Sequence, residues 1–325
     1  MAPDRSWLVC SETISALERV ESGLALAVQT QARFLHAVSS YLLSKDGKLL
    51  RPALALLAGR FSPRTEGERL ERAAIAIELL HVASLYHDDV MDGASERRGA
   101  PSANVQWGNV VASLGGTYLF AHASTLVASL GPWANRIYSA AILQLCTGQL
   151  LELEHAYNLD LTEGEYLQIV AKKTATLFEL PLRLGAFVAG ASDEDVERLA
   201  AFGRHLGLAY QLADDALDLA GTESTMGKST GRDLQRGVYT LPVLRACRRT
   251  PCGEKLRDIL EAFDPSDVEI DAAANLICQS GAVEETLAFA KETARRAQAF
   301  LSQLADNAAR TSLHDLAEAT AARCS

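Results

Sequence analysis

Apolar residues recur along this chain at the three- and four-residue spacing that places side chains on one face of an α-helix. The spacing is clear in residues 14–24 and again in residues 199–209, where it brings the apolar side chains onto one stripe. No stretch alternates convincingly between apolar and polar residues as a half-buried strand does, and no linker rich in Pro, Gly or Ser divides the chain. The sequence therefore predicts a single all-α domain of about ten or more helices that spans residues 1–325.

The composition excludes several classes of protein. Hydrophobic residues make up 48% of the 325 residues, which is enough for a substantial core and excludes a disordered chain. The formal net charge of −10 argues against a nucleic-acid-binding protein, which would carry a basic face. The six cysteines are scattered without the CxxC spacing of a zinc site. Free thiols in a reducing cytosol are therefore the expected state.

Two features of the sequence bear on localisation. The opening residues, MAPDRSWLVCSE, lack the basic start and apolar run of a signal peptide, which predicts a cytoplasmic protein. Residues 110–130 carry no charge and are long enough to cross a bilayer. They contain several Ser and Thr residues and a His, however, and this composition suits a core helix better than a membrane span. We therefore expect no transmembrane segment.

Two short acidic clusters share the pattern Asp-Asp-x-x-Asp. The first cluster consists of Asp88, Asp89 and Asp92, and the second consists of Asp214, Asp215 and Asp218. On a helix, the first and last aspartates of each cluster lie one turn apart on the same face. Two carboxylates held that close repel each other unless a cation lies between them.

The surroundings of both clusters favour a functional site over a solvated acidic surface. Each cluster follows an apolar helical stretch and comes just before a glycine that would end the helix, Gly93 or Gly221. Aspartates in that place face the negative pole of the helix dipole, which costs about 0.3–1 kcal/mol each. Bound Mg²⁺ would relieve both problems, because it prefers oxygen ligands from one or two carboxylates and from substrate phosphates. The sequence therefore predicts two clusters that bind Mg²⁺.

Basic residues are gathered in the segments around these clusters. They are Lys48, Arg51, Arg97, Arg98, Lys172, Lys173 and Lys228. Arginine grips phosphate oxygens with two parallel hydrogen bonds, and lysine supplies a compact charge. The chain has no GxxxxGK[ST] loop, so a nucleoside triphosphate is not the expected ligand. Metal ions and fixed cations together would hold another polyphosphate.

These motifs, in this order, resemble the trans-isoprenyl diphosphate synthases, or polyprenyl synthetases, of the long-chain type. The matching strings are GKLLRP (47–52), ELLHVASLYHDDVMDGASERRG (78–99), KTATLF (173–178), YQLADDALD (210–218), GKSTGRDLQRG (227–237) and TLP (240–242). The resemblance implies one helical bundle around a deep central cavity, usually as a homodimer, with about three Mg²⁺ ions per active site. The expected prenyltransferase reaction joins isopentenyl diphosphate head to tail to an allylic prenyl diphosphate and releases pyrophosphate.

The resemblance also implies a role for each matching residue. The expected magnesium ligands are Asp88, Asp89, Asp92, Asp214, Asp215 and Asp218. The expected contacts to isopentenyl diphosphate are Lys48, Arg51, His81 and Arg98, and those to the allylic diphosphate are Arg97, Lys173, Thr174, Gln211 and Lys228. The expected catalytic residues are Asp88, Asp92, Asp214 and Lys173. No side-chain general base is implied, because the departing pyrophosphate is thought to take the proton in this family.

Two positions depart from the family pattern, and two others bear on product length. Thr117 stands where an Asp is common, and Val238 stands where a Lys is common, which removes one possible phosphate contact. Ala83 and Ser84, about one turn before Asp88, are both small. In family members that stop at fifteen carbons, aromatic rings often block this level. The resemblance therefore implies a product of twenty carbons or more, with longer chains favoured.

Three alternatives stay open from the sequence. A class I terpene cyclase also ionises a prenyl diphosphate, but it normally carries a second metal motif of the Asn/Ser/Glu type and has no use for a second diphosphate site. A regulatory subunit of a heteromeric synthase often lacks the aspartates that this chain keeps. A structural helical scaffold would leave the acidic and basic clusters unexplained. A requirement for isopentenyl diphosphate, and turnover by the purified chain alone, would distinguish these alternatives.

Overall fold

The structure is a computed structural model that describes residues 5–45, 47–62, 67–220, 232–249, 252–262 and 265–324. These residues are almost entirely helical, which confirms the predicted all-α fold class. The chain forms two compact units. The first comprises Met1–Ala141, Leu177–Ala200 and Gln303–Asp315, and the second comprises Ile142–Thr176, Ala201–Ser302 and Leu316–Ser325. The single domain predicted over residues 1–325 stays a prediction.

The helices of the described residues are numbered here in chain order. They are α1 (Ser11–Ala27), α2 (Arg33–Ser40), α3 (Leu50–Ala58), α4 (Gly67–Met91), α5 (Ala103–Trp107), α6 (Asn109–Ala128), α7 (Pro132–Glu154), α8 (Glu163–Val170), α9 (Thr176–Ala189), α10 (Asp193–Ala220), α11 (Arg232–Gln235), α12 (Leu241–Cys247), α13 (Cys252–Leu260), α14 (Asp267–Gln279), α15 (Ala282–Leu301) and α16 (Ala308–Ala322). Short 3₁₀ turns lie at Arg5–Trp7 and Gly59–Phe61, and a π-helical turn, Ala171–Ala175, joins α8 to α9. An antiparallel hairpin pairs β1 (Glu96–Arg97) with β2 (Ala100–Pro101).

The first unit is built around α4, which packs against α1, α3 and α6. Leu54 of α3, Ile77 of α4 and Leu119 of α6 are fully buried there. Each such side chain stabilises the unit by about 1.5–3 kcal/mol relative to an exposed position. Gly185 of α9 lies against the backbone of Ala55, so that an added Cβ would collide with it. Glycine at this position therefore lets α9 approach α3 closely.

The second unit has its own apolar core, which buries Leu212 of α10, Leu241 of α12 and Ile277 of α14. Helix α8, which packs on this core, begins with a capping box formed by Thr162 and Glu165. The Glu165 amide donates to Thr162 Oγ1 at 3.2 Å, and the Thr162 amide donates to Glu165 Oε2 at 2.9 Å. This reciprocal pair satisfies two backbone donors that would otherwise lack partners at the helix start. The box fixes the beginning of the helix that carries Tyr166.

Helix α6 packs one face on α4 and leaves the opposite face exposed. Gly115 and Gly116 make this close approach possible, because a Cβ at Gly116 would lie 2.7 Å from the His87 ring. Val110 and Leu114 are exposed large hydrophobic residues. Among the described residues, α6 alone is long and apolar enough to cross a membrane, with a mean hydropathy of 1.3 and 33% of the window buried. A single helix of this kind is weak evidence for a membrane span.

All six cysteines carry free thiols, as the sequence predicts. Cys10 and Cys247 are buried, and burial raises the pKa of the Cys247 thiol to about 11. A buried thiol with a raised pKa is poorly reactive.

Candidate active site

The last turns of α4 carry the first acidic cluster. Asp88 and Asp92 lie one turn apart and are half-buried, and His81 and Ser84 precede Asp88 on the same face at helical spacing. The Ser84 hydroxyl donates to the backbone oxygen of His81 at 2.8 Å. Ala83 belongs to the buried core instead. One face of α4 therefore runs from a histidine past a small side chain to two carboxylates.

Helix α4 ends at Met91, and Gly93 terminates it from just beyond this end, as the sequence predicts. Gly93 has a φ of 57°, its amide donates to the Val90 oxygen at 3.4 Å, and the Ala94 amide donates to the Asp89 oxygen at 3.0 Å. This pairing is a Schellman motif, in which glycine is favoured because it tolerates a positive φ. The corresponding glycine of the second cluster, Gly221, lies outside the described residues.

The middle aspartate of the first cluster, Asp89, is turned into the protein. Its side chain is 0% exposed, and Oδ1 accepts from Arg97 Nε at 2.8 Å and lies 2.6 Å from Arg97 Nη2. Burial raises the pKa of Asp89, and the Arg97 guanidinium opposes this shift. Oδ2 is buried and has no hydrogen-bond partner among the described residues. An acidic cluster with an unused buried carboxylate oxygen fits a bound cation such as Mg²⁺.

Arg98 lies at the tip of the β1–β2 hairpin. Arg98 and Gly99 both have positive φ values, 53° and 69°, as a two-residue type I′ hairpin turn requires. The Arg98 Nη1 donates to the Leu42 oxygen at 2.7 Å. A Cβ on Gly47 would lie 2.8 Å from that nitrogen. The glycine therefore leaves room for the guanidinium.

Glu78 is a buried acidic partner of Arg98 that the sequence analysis did not single out. Its side chain is 2% exposed, and Oε1 lies 3.6 Å from Arg98 Nη2. Burial raises the pKa of Glu78, and the charges of Arg51 and Arg98 oppose this shift. A buried carboxylate costs several kcal/mol unless cations and hydrogen bonds compensate it. The sequence signal was a single charge inside an apolar helical stretch, one turn before His81.

Arg51 and His81 form a second polar contact in this group. Arg51 Nη1 lies 3.0 Å from His81 Nε2. A guanidinium can only donate, so Nε2 is the acceptor and the neutral ring carries its proton on Nδ1. Burial, followed by the nearby charge of Arg51, lowers the pKa of His81 well below its ordinary value. Nδ1 is buried without a hydrogen-bond partner among the described residues, so its N–H is a donor suited to an anion.

The second acidic cluster lies on α10 in the second unit. Asp214 and Asp218 are half-buried and lie one turn apart. Asp214 Oδ1 pairs with Arg323 Nη2, and the Arg323 guanidinium lies 4.7 Å from the centre of the Tyr210 ring. Arg323 was not predicted from the sequence, because it lies more than a hundred residues away from its partner and outside every motif.

The middle aspartate of the second cluster, Asp215, is also turned inward but has neutral partners. Its side chain is 4% exposed. Oδ2 accepts from the Tyr166 hydroxyl, and Oδ1 accepts from Gln211 Nε2 at 2.7 Å. The Gln211 oxygen in turn accepts from the Thr174 hydroxyl at 2.9 Å. Burial raises the pKa of Asp215 to about 7, against the opposing effect of these two hydrogen bonds.

Lys173 lies in the π-helical turn between α8 and α9. Its ammonium pairs with Glu152 of α7. A Cβ on Gly148 of α7 would lie 2.5 Å from the Lys173 amide nitrogen, so glycine permits the close passage of the two segments. Isolated π turns are frequent at functional sites. Here the turn presents Lys173 and Thr174 from adjacent positions.

Asp233 of α11 is a further acidic residue that sequence reasoning did not single out within its motif. Burial and the charge of Asp218 raise its pKa to about 6, and Arg236 opposes this shift. The charges of Glu152 and Lys173 also act on Asp233. Asp218, Asp233 and Glu152 therefore interact electrostatically within one acidic group, and the charges of Lys173 and Arg236 act on the same group.

The structure places the remaining predicted residues as follows. Lys48 is exposed just before α3, and Lys228 lies outside the described residues. Thr117 is exposed and donates to the Ser113 oxygen of its own helix at 3.0 Å. Val238 is half-buried, and its amide donates to the Asp233 oxygen at 2.9 Å.

Within the first unit, the structure brings Arg51 to His81 and Arg97 to Asp89. Within the second unit, it connects Thr174, Gln211 and Asp215 through hydrogen bonds. Each unit therefore contains one acidic cluster with basic or polar residues around it.

This combination of motifs has a family-level match over most of the chain. The model of the family described as polyprenyl synthetase matches residues 32–277. The chain belongs to the polyprenyl synthetase family. Membership confirms the family predicted from the motifs and the predicted class of enzyme, a prenyltransferase.

Relatives and solved structures agree with this family. The chain is 41% identical to the nonaprenyl diphosphate synthase of Mycobacterium tuberculosis over 87% of this chain and 85% of that protein. It is 38% identical to heptaprenyl diphosphate synthase component 2 of Geobacillus stearothermophilus over 93% of each chain. A polyprenyl synthase from Caulobacter crescentus, crystallised with calcium and isoprenyl diphosphate, superposes with a TM-score of 0.91 at 32% identity, over 99% of this chain and 98% of that one.

Proposed function

We propose that this prenyltransferase joins isopentenyl diphosphate head to tail to an allylic prenyl diphosphate in a Mg²⁺-dependent reaction that releases pyrophosphate. The observation that carries the proposal is a basic group at α4, the helix that ends in the first acidic cluster. In this group Arg51 contacts His81 of α4, and Arg98 pairs with Glu78 of the same helix. A metal-bound diphosphate accounts for the acidic clusters, and a second diphosphate accounts for this basic group. A condensing enzyme needs both.

The basic group is suited to the diphosphate of the non-allylic substrate. Lys48, Arg51 and Arg98 supply charge, and the neutral His81 supplies an N–H donor that has no partner of its own among the described residues. Glu78 is a buried carboxyl on which the charges of both Arg51 and Arg98 act. It is a positioning residue, since it acts on the substrate through Arg98.

The acidic clusters are suited to about three Mg²⁺ ions and the allylic diphosphate. The half-buried aspartates Asp88, Asp92, Asp214 and Asp218 are the proposed ligands that face outward from their helices. Asp89 and Asp215 also belong to the proposed set, but Arg97 holds the first, and Tyr166 and Gln211 hold the second. When bound, Mg²⁺ stabilises the negative charge that builds up on the leaving pyrophosphate.

Other side chains assist the departure of the allylic diphosphate. Arg97, Lys173 and Lys228 supply cations, and the Gln211 amide supplies a second N–H donor while the Thr174 hydroxyl fixes its orientation. Cleavage of the allylic carbon–oxygen bond gives a stabilised carbocation. The alkene of isopentenyl diphosphate attacks this cation, a carbon–carbon bond forms, and a proton is lost to the released pyrophosphate.

We propose a product of twenty carbons or more, with longer chains favoured. Ser84 lies one turn before Asp88 on the same face of α4, so a growing chain that passes along this face meets a small side chain. The similar proteins of Mycobacterium tuberculosis and Geobacillus stearothermophilus are named as nonaprenyl and heptaprenyl synthases. A bulky residue at position 84 is the direct test of this proposal.

We also propose a cytoplasmic homodimer without a membrane span, formed through the outer face of α6. The exposed residues of this face carry no charge: they are Val110, Leu114, Thr117, Ala121, Thr125 and Ala128. A continuous uncharged stripe of this kind marks a partner surface more often than a solvated one. Leu114→Glu should convert a dimer to a monomer in light scattering. An unchanged mass would remove this surface as the interface.

The decisive experiment is incubation of the purified chain with Mg²⁺, isopentenyl diphosphate and each allylic primer, followed by sizing of the products. Elongated prenyl diphosphates that require both substrates support the proposal. A cyclase would instead convert the allylic substrate without isopentenyl diphosphate. A regulatory subunit would give no product by itself. The Geobacillus relative, named as a component, is the reason to test the chain alone.

A further inference from the structure

Arg323 follows the last helix and contacts α10 at two points. Its Nη2 pairs with Oδ1 of Asp214, and its guanidinium carbon lies 4.7 Å from the centre of the Tyr210 ring. Tyr210 precedes Asp214 by one helical turn, so the ion pair and the cation–π contact hold the guanidinium along one face of α10. Both contacts lie within the second unit.

The carboxylate in this ion pair, Asp214, is also a proposed Mg²⁺ ligand. Mg²⁺ coordinates carboxylate oxygens directly, and a guanidinium on the same oxygen opposes it by occupancy and by charge. The Arg323 and Asp214 side chains are 28% and 38% exposed, so solvent and salt screen this pair less than a pair on the open surface. A metal ion that binds Oδ1 of Asp214 must therefore displace Arg323, and one that binds the other oxygen is opposed by the charge of the guanidinium.

We propose that Arg323 holds Asp214 in the metal-free enzyme and is displaced when metal binds, so that this arginine sets the metal affinity of the second acidic cluster. The inference rests on the proposed function, because it takes Asp214 as a metal ligand. The contact with Tyr210 does not involve the carboxylate. The arginine therefore keeps an anchor on α10 after it releases Asp214.

The test is Mn²⁺ binding, measured by electron paramagnetic resonance in the absence of substrate. Arg323→Met keeps an aliphatic stem against the Tyr210 ring and removes every donor to Asp214. We expect this variant to bind Mn²⁺ about threefold to tenfold more tightly than the unchanged protein. Equal or weaker binding, including binding that is undetectable in both proteins, overturns the proposal.

Two further variants keep the experiment interpretable. Arg310→Met removes an arginine of α16 that also pairs with an acidic residue, Asp306, and we expect unchanged Mn²⁺ affinity. If it tightens binding as much as Arg323→Met, the effect is one of overall charge and the proposal fails. Arg323→Lys keeps the charge but loses the planar guanidinium. We expect its Mn²⁺ affinity to lie between that of the unchanged protein and that of Arg323→Met. If Arg323→Met does not fold, this lysine variant decides: affinity no tighter than that of the unchanged protein overturns the proposal.

The outcome can be separated from that of the proposed function. Near-normal turnover by Asp214→Asn would remove Asp214 from the proposed metal site and the basis of this inference with it. An inactive Asp214→Asn variant, together with unchanged Mn²⁺ binding by Arg323→Met, would leave the proposed function standing and overturn the role of Arg323 alone.

Discussion

The two acidic clusters share one sequence pattern but hold their middle aspartate in different ways. Asp89 is bound by a cation, Arg97, through one oxygen, and its other oxygen has no partner among the described residues. Asp215 is bound by neutral donors through both oxygens. Burial raises the pKa of both carboxyls, but the Arg97 cation opposes the rise at Asp89, whereas only neutral donors oppose it at Asp215, whose pKa is raised to about 7. The same sequence motif can therefore place its middle aspartate beside a cation in one helix and beside neutral donors in another.

The outer aspartates are where the two clusters should behave alike. Asp88→Ala and Asp214→Ala should each lower turnover by at least about 100-fold, because each removes a proposed ligand of the metal that would stabilise the leaving group. Steady-state rates with both substrates and Mg²⁺ measure this effect. Asp306→Ala, which removes an exposed aspartate paired with Arg310, is the matched control and should keep its rate. A near-normal rate in either variant would show that the metal assignment is wrong for that cluster.

The middle aspartates should separate the clusters. Asp89→Asn leaves Arg97 without its counter-charge, so we expect roughly a tenfold loss of turnover, comparable to the loss of one charged hydrogen bond. Asp215→Asn keeps one of the two acceptors and loses a neutral hydrogen bond instead of a charged one, so a smaller loss of about threefold is expected. Comparison of the two rates at saturating Mg²⁺ checks this order. The reverse order would contradict the distinction between a charged and a neutral environment.

The residues behind each cluster should affect different substrates. Glu78→Gln loosens Arg98 and should raise the KM for isopentenyl diphosphate about fivefold, with little effect on the allylic KM. Tyr166→Phe removes a hydrogen-bond donor to Asp215, and Asp215 in turn accepts from Gln211, a proposed contact to the allylic diphosphate. This variant should therefore raise the KM for the allylic substrate instead, by about threefold. Glu71 lies on the same helix as Glu78 and pairs with Arg19 of α1. Glu71→Gln, which breaks that ion pair, should change neither value. Equal shifts of both KM values would indicate a general loss of structure.

Glu78 should also make the folding stability of the protein depend on pH. Its pKa is raised in the folded protein above the ordinary value of 4.5 because it is buried. The folded state therefore binds this proton more tightly than the unfolded state, and its stability relative to Glu78→Gln falls as the pH rises above about 4.5. Urea unfolding of both proteins at several pH values measures this trend. If the stability difference is the same at every pH, Glu78 ionises in the folded protein as it does in water.

The smallest expected effect on rate concerns the residue one turn before each cluster. This residue is the small Ser84 before Asp88 and the aromatic Tyr210 before Asp214. Ser84→Phe should shorten the product, with little change in overall turnover, because it places a ring on the proposed path of the growing chain. Chromatographic sizing of the products checks this, and Ser84→Ala should leave the length unchanged. An unaltered product distribution with Ser84→Phe would mean that the chain grows elsewhere.

Much of the fold class and of the chemistry was accessible from local sequence patterns. Helical periodicity predicted an all-α protein, and the motif order predicted the family. The helix end at Gly93 was also predicted correctly, because a Schellman motif depends on a glycine next to an apolar helix. These features depend on neighbours within a few residues or on strings that keep their order.

The partners of the motif residues depended on contacts between distant segments. Glu78 was visible as a lone charge in an apolar stretch, but its link to Arg98 needed the hairpin that returns the arginine to α4. Tyr166 and Arg323 lie outside the acidic motif that they contact, separated from it by 49 and 109 residues. The outward face of α6 likewise became visible only when its glycine-bearing face was packed on α4.

The sequence by itself determined that this chain is helical and that it carries two metal-type acidic clusters with basic residues nearby, because periodicity, residue type and spacing are local properties. Only the tertiary structure decided which carboxylates face inward, which cation or neutral donor holds each one, and that Arg323 pairs with Asp214. The physical reason is that burial and pairing of a charge depend on side chains brought together by packing, and these come from segments far apart in the chain.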